Sequence, residues 1–548
     1  MKYLIVVVFS TLLFWGCFQT KKEASTDAFE NVGIYTKINF TDFILEQNDI
    51  DDFFKNFPKY EIFLTDVTQY YINRQYQYAW FNNDGMTIAV SNFQNQIQNY
   101  SADFDDKIIL NPEIDKLISI LKTEQSDKNL IEKSTKKLEL LLTTTFFIYS
   151  KKVYHGTIEN PYNLNWYIPK KKKSYQTLLD SLVKPENSTK NWEPTNQLYS
   201  LLKIKLREYR NLQKKGGLPY IQTSKKELSL SDSDSCIAKI KQYLKITGDL
   251  SRNDNTFYFT DSLAKSITRF QHRFGLIESG KIDQETITEL NKPIGFRIKQ
   301  IMINMERLRW FPDDLNENYI LINIPEFKLH VFENGNKIWD SKVVVGKEIN
   351  KTSIFKGTIS QIIINPYWNV PNSIINKEML PILKKNRSYL SKNNFEVLSG
   401  NKIINPYAIN WHNYTKNIPY AIRQKPGDNN ALGKIKFLFP NNFHIYLHDT
   451  PSKYLFNENK RAFSHGCIRV EDPRKLALYL LRNDSKWNEE EFDKSLNTKK
   501  TEYINLKQKI DVFIVYFTTW VDHNNQINFR NDLYGLDNQL EKEVFLNK

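Results

Sequence analysis

At roughly 150 residues per domain, a chain of 548 residues is expected to divide into several modules, which excludes a single small binding domain. Apolar side chains make up 41% of it and charged ones 25%, enough apolar volume for packed cores and too little charge for wholesale disorder. Three cysteines (Cys17, Cys236, Cys467) form no CxxC pair and no disulfide framework, so thiol chemistry is left to single cysteines, while a net charge of +14 raises nucleic acid as a partner.

The N-terminus answers that question. Met1-Lys2-Tyr3 is a short positive region, and the mostly apolar run at 4–15 is too short for an ordinary membrane span, which is how a secretory signal reads. Gly16-Cys17 directly after it resembles the lipobox of bacterial lipoproteins, which implies a signal peptide over 1–16 and lipidation of Cys17. The expected location is the periplasm or cell envelope, anchored to a membrane, with no nucleic acid as partner. Lys136-Lys137, Lys151-Lys152 and the lysines at 170–173 are then expected on solvated faces, or as an attraction for an anionic envelope polymer.

Residues 18 to about 35 are polar and aperiodic, as in a tether. The rest of 17–235 has mainly helical periodicity and predicts a scaffold domain, with Leu138, Leu140, Leu141, Leu142, Phe146 and Phe147 in one helix and Leu198, Leu201, Leu202, Ile204 and Leu206 in another. The stretch 158–196, rich in Asn and Lys and broken by Pro161, Pro169, Pro185 and Pro194, is expected to be a surface loop. From 236 to 295 the pattern is a small helical bundle. Ile267, Phe270 and Phe274 form one stripe, Gly275 ends that helix, Gly280 turns the chain, and Asp283 caps a helix carrying Ile287 and Leu290. The text around Phe270-Gln271-His272-Arg273-Phe274-Gly275 and Gly280-Lys281-Ile282-Asp283 resembles the three-helix peptidoglycan-binding domain.

Beyond Arg307-Leu308-Arg309-Trp310 the character turns to strands, predicted at 319–325, 328–332, 342–345, 361–365, 435–438, 443–447 and 512–520, with a helix after Pro473. The fold class expected over 319–480 is mainly β. An insertion at 373–413 with helical spacing (Met379, Leu380, Ile382, Leu383, Leu390) reads as a lid, and 481–548 as an extension packing on this domain.

Ser464-His465-Gly466-Cys467-Ile468-Arg469 concentrates the chemistry. A thiolate forms acyl intermediates readily, Gly466 permits close backbone approach, and the amides near Gly466 and Cys467 are placed for an oxyanion hole. The base must come from elsewhere. Read as a strand, 443–448 puts His444, Tyr446 and His448 on one face, with the two histidines roughly 13 Å apart, too far to serve one thiol equally. His448, at the strand end before Asp449-Thr450-Pro451, is the expected base.

His448 sixteen positions before Ser464-His465-Gly466-Cys467, with Asn365-Pro366-Tyr367-Trp368-Asn369-Val370-Pro371 upstream and Trp520-Val521-Asp522 downstream, resembles the YkuD-type L,D-transpeptidases, in particular the large YcbB-like subgroup. The resemblance implies acyl transfer on peptidoglycan stem peptides in cell wall biogenesis. A tetrapeptide donor loses its terminal D-alanine to a cysteine acyl-enzyme, and an amine acceptor receives the acyl group in a 3-3 crosslink. It further implies Cys467 as nucleophile, His448 as base and then acid, Ser464, His465 and Gly466 shaping the site, Arg469, Tyr367 and Trp368 holding substrate, carbapenem-class β-lactams as inhibitors, and no cofactor or metal. The alternatives are an L,D-carboxypeptidase that uses water as acceptor, a zinc hydrolase built on His444, His448, His465 and Cys467, and a non-catalytic wall-binding lipoprotein.

Overall fold

The computed structural model describes residues 41–123, 127–170, 174–184 and 196–545. The expected signal segment, Cys17, the tether, the lysines at 171–173, Pro185 and Pro194 lie outside them. Among the described residues no helix is long and apolar enough to cross a membrane.

The helical scaffold is centred on Lys128–Ser150, whose Leu138, Leu140, Leu141, Leu142, Phe146 and Phe147 are all buried. The helix Gln197–Lys214, which the sequence predicts, buries Tyr199, Leu202, Leu206 and Tyr209 in one stripe and leaves Ile204 exposed. The described lysines of these clusters form ion pairs at partly exposed positions. Lys136 pairs with Asp49 at 3.3 Å, Lys137 with Glu113 at 2.7 Å, Lys151 with Glu159 at 3.2 Å, Lys152 with Asp106 at 2.5 Å and Lys170 with Asp313 at 3.0 Å.

The stretch 158–196 corrects the loop expectation. Its two-residue strand Trp166–Tyr167 runs parallel to Ile354–Phe355 and adds an edge to the main sheet, while the helix Tyr175–Val183 buries Leu178, Leu179 and Leu182. Pro161 opens a short 3-10 helix whose cap is Asn160.

Cys236–Ile246, Asp261–Phe274 and Gln284–Leu290 make the small bundle. Gly275 ends its second helix in the left-handed conformation and Asp283 caps the third through Thr286 N–H, as the sequence predicts. The bundle docks through Phe274, which stacks on Phe529 at 5.3 Å, and through Arg273, which donates to the Ile527 carbonyl at 2.6 Å. The next helix, Ile294–Arg309, joins all modules. Its buried Glu306 accepts from Thr157 N–H at 2.6 Å, Arg309 donates to Val153 O at 2.9 Å, and Asn304 bonds both the N–H and the hydroxyl of Thr518.

The main sheet closes on itself. Around it run Ile435–Leu438, Leu447–His448, Ile468–Val470, Asn336–Gly346, Lys328–Glu333, Tyr319–Asn323, Glu502–Val515 and Ile354–Ile364, and the last pairs back to Ile435–Leu438. Glu502–Val515 lies between two strands of the closed sheet, parallel to Tyr319–Asn323 and antiparallel to Ile354–Ile364, so part of 481–548 is integral to the sheet rather than an extension packed on it. The insertion also differs from expectation. It is not purely helical: Trp368–Asn369, Ala421–Gln424, Phe395–Ser399 and Lys402–Ile404 form a four-stranded sheet over a separate core of Met379, Leu383, Leu390, Val397 and Trp411.

Trp166 is 1% exposed and meets Trp310 edge-on at 5.7 Å, so it locks the scaffold to the closed sheet. Trp166→Ala is expected to lower stability by about 3–5 kcal/mol in denaturant unfolding. A loss under about 1 kcal/mol would show that this lock is dispensable.

Candidate active site

Register places the chemistry. Leu447 pairs with Ile468 and His448 with Arg469 in a short parallel ladder; Lys436 pairs with His448 on the other side. Residues opposite each other in a sheet share a face. Leu447 and Ile468 are fully buried, so Lys436, His448 and Arg469, together with Tyr446 and Cys467 one step back along their strands, face the opposite way.

Cys467 is partly accessible. Its thiol donates to the His444 carbonyl at 3.6 Å, and the Tyr446 N–H and hydroxyl bond to the sulfur. Burial raises the thiol pKa above its ordinary value, against those Tyr446 bonds and the nearby Lys436 and Arg469 cations. His448 is buried, and burial together with Arg469 and Lys436 pushes its pKa down to about 3. Its Nδ1 lies 2.5 Å from the Asp449 carbonyl and donates to it, which leaves Nε2 with the lone pair. The resting site is therefore a neutral thiol with a neutral imidazole.

Asp449 is held in turn: its carboxylate accepts from Lys434 N–H at 2.8 Å and packs so closely on Gly433 that a Cβ there would sit 2.3 Å from it. The Ser464 hydroxyl donates to the Cys467 carbonyl at 2.5 Å and accepts from Gly466 N–H at 3.1 Å, closing the turn that presents the thiol. His465 is exposed and bonds Glu378 of the insertion at 2.6 Å through Nε2. Arg469 is half-buried beside Tyr454 and Cys467, and its Nε has no hydrogen-bond partner among the described residues.

Trp368 reaches the site through the Tyr446 hydroxyl, whereas Tyr367 lies under the Arg423 guanidinium, 4.4 Å from ring centre, and is occupied by the insertion. His444 is not on a strand. The Asn441 side chain accepts from Phe443 N–H at 3.0 Å and Ile445 N–H at 3.1 Å, and His444 adopts a left-handed φ of 56°, so its ring is exposed and its carbonyl meets the thiol. Among the described residues no three His, Cys, Asp or Glu side chains converge as a metal site.

Two residues of this face have no role in the sequence reading: Lys436, which it leaves unread, and Tyr446, which it places beside His448 without a function. Lys436 sits with its ammonium 3.8 Å from the Tyr446 ring centre, and Tyr446 packs edge-on against His448 at 5.6 Å. Strand alternation held the signal for both, since Ile435 and Phe437 point into the core and Lys436 away from it.

Residues 317–488 match the family described as the L,D-transpeptidase catalytic domain, YkuD. The chain carries a YkuD-type L,D-transpeptidase catalytic domain. Residues 65–206 match "Scaffold domain", and 233–290 match "Putative peptidoglycan binding domain". A Haemophilus influenzae protein named "Putative L,D-transpeptidase" is 37% identical over 243 residues, which cover 44% of this chain and 49% of that protein, so the chain spans about half the length of this relative. Two solved L,D-transpeptidases are also similar. The one from Stackebrandtia nassauensis is 12% identical with a TM-score of 0.23, covering 54% of this chain and 97% of its own. The one from Xylanimonas cellulosilytica is 10% identical with a TM-score of 0.18, covering 54% and 100%.

The electrostatics of the transpeptidase domain set its pH behaviour. A raised thiol pKa means the thiolate fraction keeps climbing as pH rises through and beyond the ordinary thiol range. Alkylation of Cys467 by iodoacetamide, mapped by peptide mass, is expected to accelerate about tenfold per pH unit from about pH 6 to about pH 9. A plateau at neutral pH would instead reveal a thiolate–imidazolium pair.

Proposed function

We propose that this protein is a YcbB-like peptidoglycan L,D-transpeptidase, exported and lipid-anchored at Cys17, that forms 3-3 crosslinks between stem peptides. The observation that supports it most is the convergence of Cys467, Tyr446, His448, Lys436 and Arg469 on one face of a sheet that matches the L,D-transpeptidase family.

In this reading the Cys467 sulfur bonds to the carbonyl carbon of the third residue of a tetrapeptide stem as His448 Nε2 takes the thiol proton. The oxyanion is stabilised by backbone N–H groups of the 464–467 turn. The peptide bond to D-alanine breaks, and His448 gives its proton to the leaving amine. An amine of a second stem then attacks the thioester and restores the thiol. Because its pKa is about 3, His448 stays a free base well below neutral pH. Lys436 and Arg469 supply positive charge near the thiol, and carbapenem-class β-lactams would acylate the same sulfur. The small bundle would hold the glycan or stem of the wall.

The insertion serves as a lid that shields the thioester from water, clasped to the catalytic turn by Glu378 on His465. The competing reading, an L,D-carboxypeptidase, differs only in using water as acceptor.

Incubation of purified protein with tetrapeptide-rich peptidoglycan, followed by muropeptide profiling, is expected to yield 3-3 dimers and free D-alanine. Cys467→Ala should yield neither while keeping its fold. Tripeptides without dimers from the wild type would favour the carboxypeptidase. Glu378→Ala is expected to raise the tripeptide-to-dimer ratio several-fold, and an unchanged ratio would remove the lid contact from the mechanism.

A further inference from the structure

The turn that presents Cys467 wraps around the end of the strand Asn336–Gly346, and its support runs through Thr352 to a residue beyond the matched catalytic domain. The Thr352 hydroxyl accepts from Gly346 N–H at 2.9 Å and donates to the Gly466 carbonyl at 2.8 Å. A hydroxyl has one proton, so the Gly346 bond commits that proton to Gly466. Thr352 is itself fixed by Tyr534, whose hydroxyl donates to the Gly346 carbonyl at 2.7 Å and accepts from Thr352 N–H at 3.3 Å. Tyr534 N–H donates to the Tyr516 hydroxyl at 2.7 Å, and Tyr516 donates to Asp532 at 2.7 Å. Thr352 is 2% and Tyr534 3% exposed, so water does not compete for these bonds.

The Gly466 carbonyl and the Cys467 N–H belong to one peptide unit. In a planar trans peptide they point in opposite directions, so fixing the carbonyl inward on Thr352 aims the N–H outward. Gly466 itself has a φ of 117°, a conformation with no preference of its own for this orientation in a free chain, so the Thr352 bond decides it. Among the described residues no acceptor takes the Cys467 N–H, which leaves it available for a ligand oxygen.

We propose that Thr352 and Tyr534 are positioning residues that aim the Cys467 N–H at the oxyanion of the acyl-transfer step. This deepens the transpeptidase reading and rests on it for the natural substrate, but not for the geometry. Tyr534 lies beyond residue 488, where the family match ends, so a segment outside the catalytic domain completes its site.

The test compares two reactions of one sulfur in the full chain. Acylation by p-nitrophenyl acetate, in which the sulfur bonds to the acetyl carbon, p-nitrophenolate leaves and the thiol proton passes through His448 to solvent, develops an oxyanion. Alkylation by iodoacetamide does not. Thr352→Val and Tyr534→Phe are each expected to slow the acylation burst by about 10- to 100-fold while alkylation at Cys467 stays within about twofold. Thr352→Ser, which keeps the hydroxyl, is expected to stay within about threefold of wild type in both. If Thr352→Val lowers the melting temperature, Tyr534→Phe carries the test one hydrogen bond further from the turn.

Equal falls in both reactions would mean mere loss of structure and would overturn the proposal, as would unchanged acylation; each variant decides for its own residue. A clean split with the ester, alongside no turnover of tetrapeptide stems by the wild type, would uphold the positioning role and reject the transpeptidase reading instead.

Discussion

Two rungs of parallel pairing, Leu447 with Ile468 and His448 with Arg469, carry the site. Because side chains alternate along a strand, a slip of one residue would turn Cys467 and His448 into the core and bring Leu447 and Ile468 out. The burial of those two apolar residues is therefore what fixes the thiol and imidazole on the same outer face. So short a ladder has little stability of its own. It is held by Ile435–Leu438 on one side and by Asn336–Gly346 on the other, and the closed sheet leaves neither edge free to slide.

What this arrangement stores is an electrostatic state. Burial disfavours charge on both the thiol and the imidazole, and the Lys436 and Arg469 cations push the imidazole further toward neutrality while partly offsetting the burial of the sulfur. In the proposed mechanism, proton transfer would thus be part of the chemical step, since both groups are neutral at rest. The neutral phenol of Tyr446, kept so by burial and by the neighbouring sulfur, can follow the sulfur through that change as a hydrogen-bond partner.

Much of this was legible in the sequence where local pattern and tertiary demand coincide. The stripe Ile267, Phe270, Phe274 is a helix face because a helix is what buries all three, and Gly275 and Asp283 end and begin helices by their own backbone and side-chain chemistry. Cys467 and His448 were legible from the motif. Four features were not, each for a physical reason. The alternation in 443–447 mimics a strand, but the Asn441 side chain satisfies the backbone locally and bends it. Trp166–Tyr167 lies in a polar, proline-broken stretch and becomes a strand only because an edge of Ile354–Ile364 is open to receive it. The first half of Glu502–Val515 alternates lysine, glutamine and asparagine with apolar residues and lacks the continuous apolar run that betrays its second half. Tyr534 had no signal at all, since its bonds to Thr352 and Gly346 span more than a hundred residues.

In the proposed mechanism the Cys467 sulfur is the atom that receives the stem acyl group. The most direct test is acid-quenched intact mass and peptide mapping of the wild-type protein during turnover of a disaccharide tetrapeptide. One adduct is expected, with the mass of the substrate less D-alanine, on the peptide that contains Cys467, and none on buried Cys236, whose thiol pKa is pushed up to about 12. Crosslinks accumulating with the adduct on another residue, or with no covalent adduct formed at any time, would contradict that mechanism.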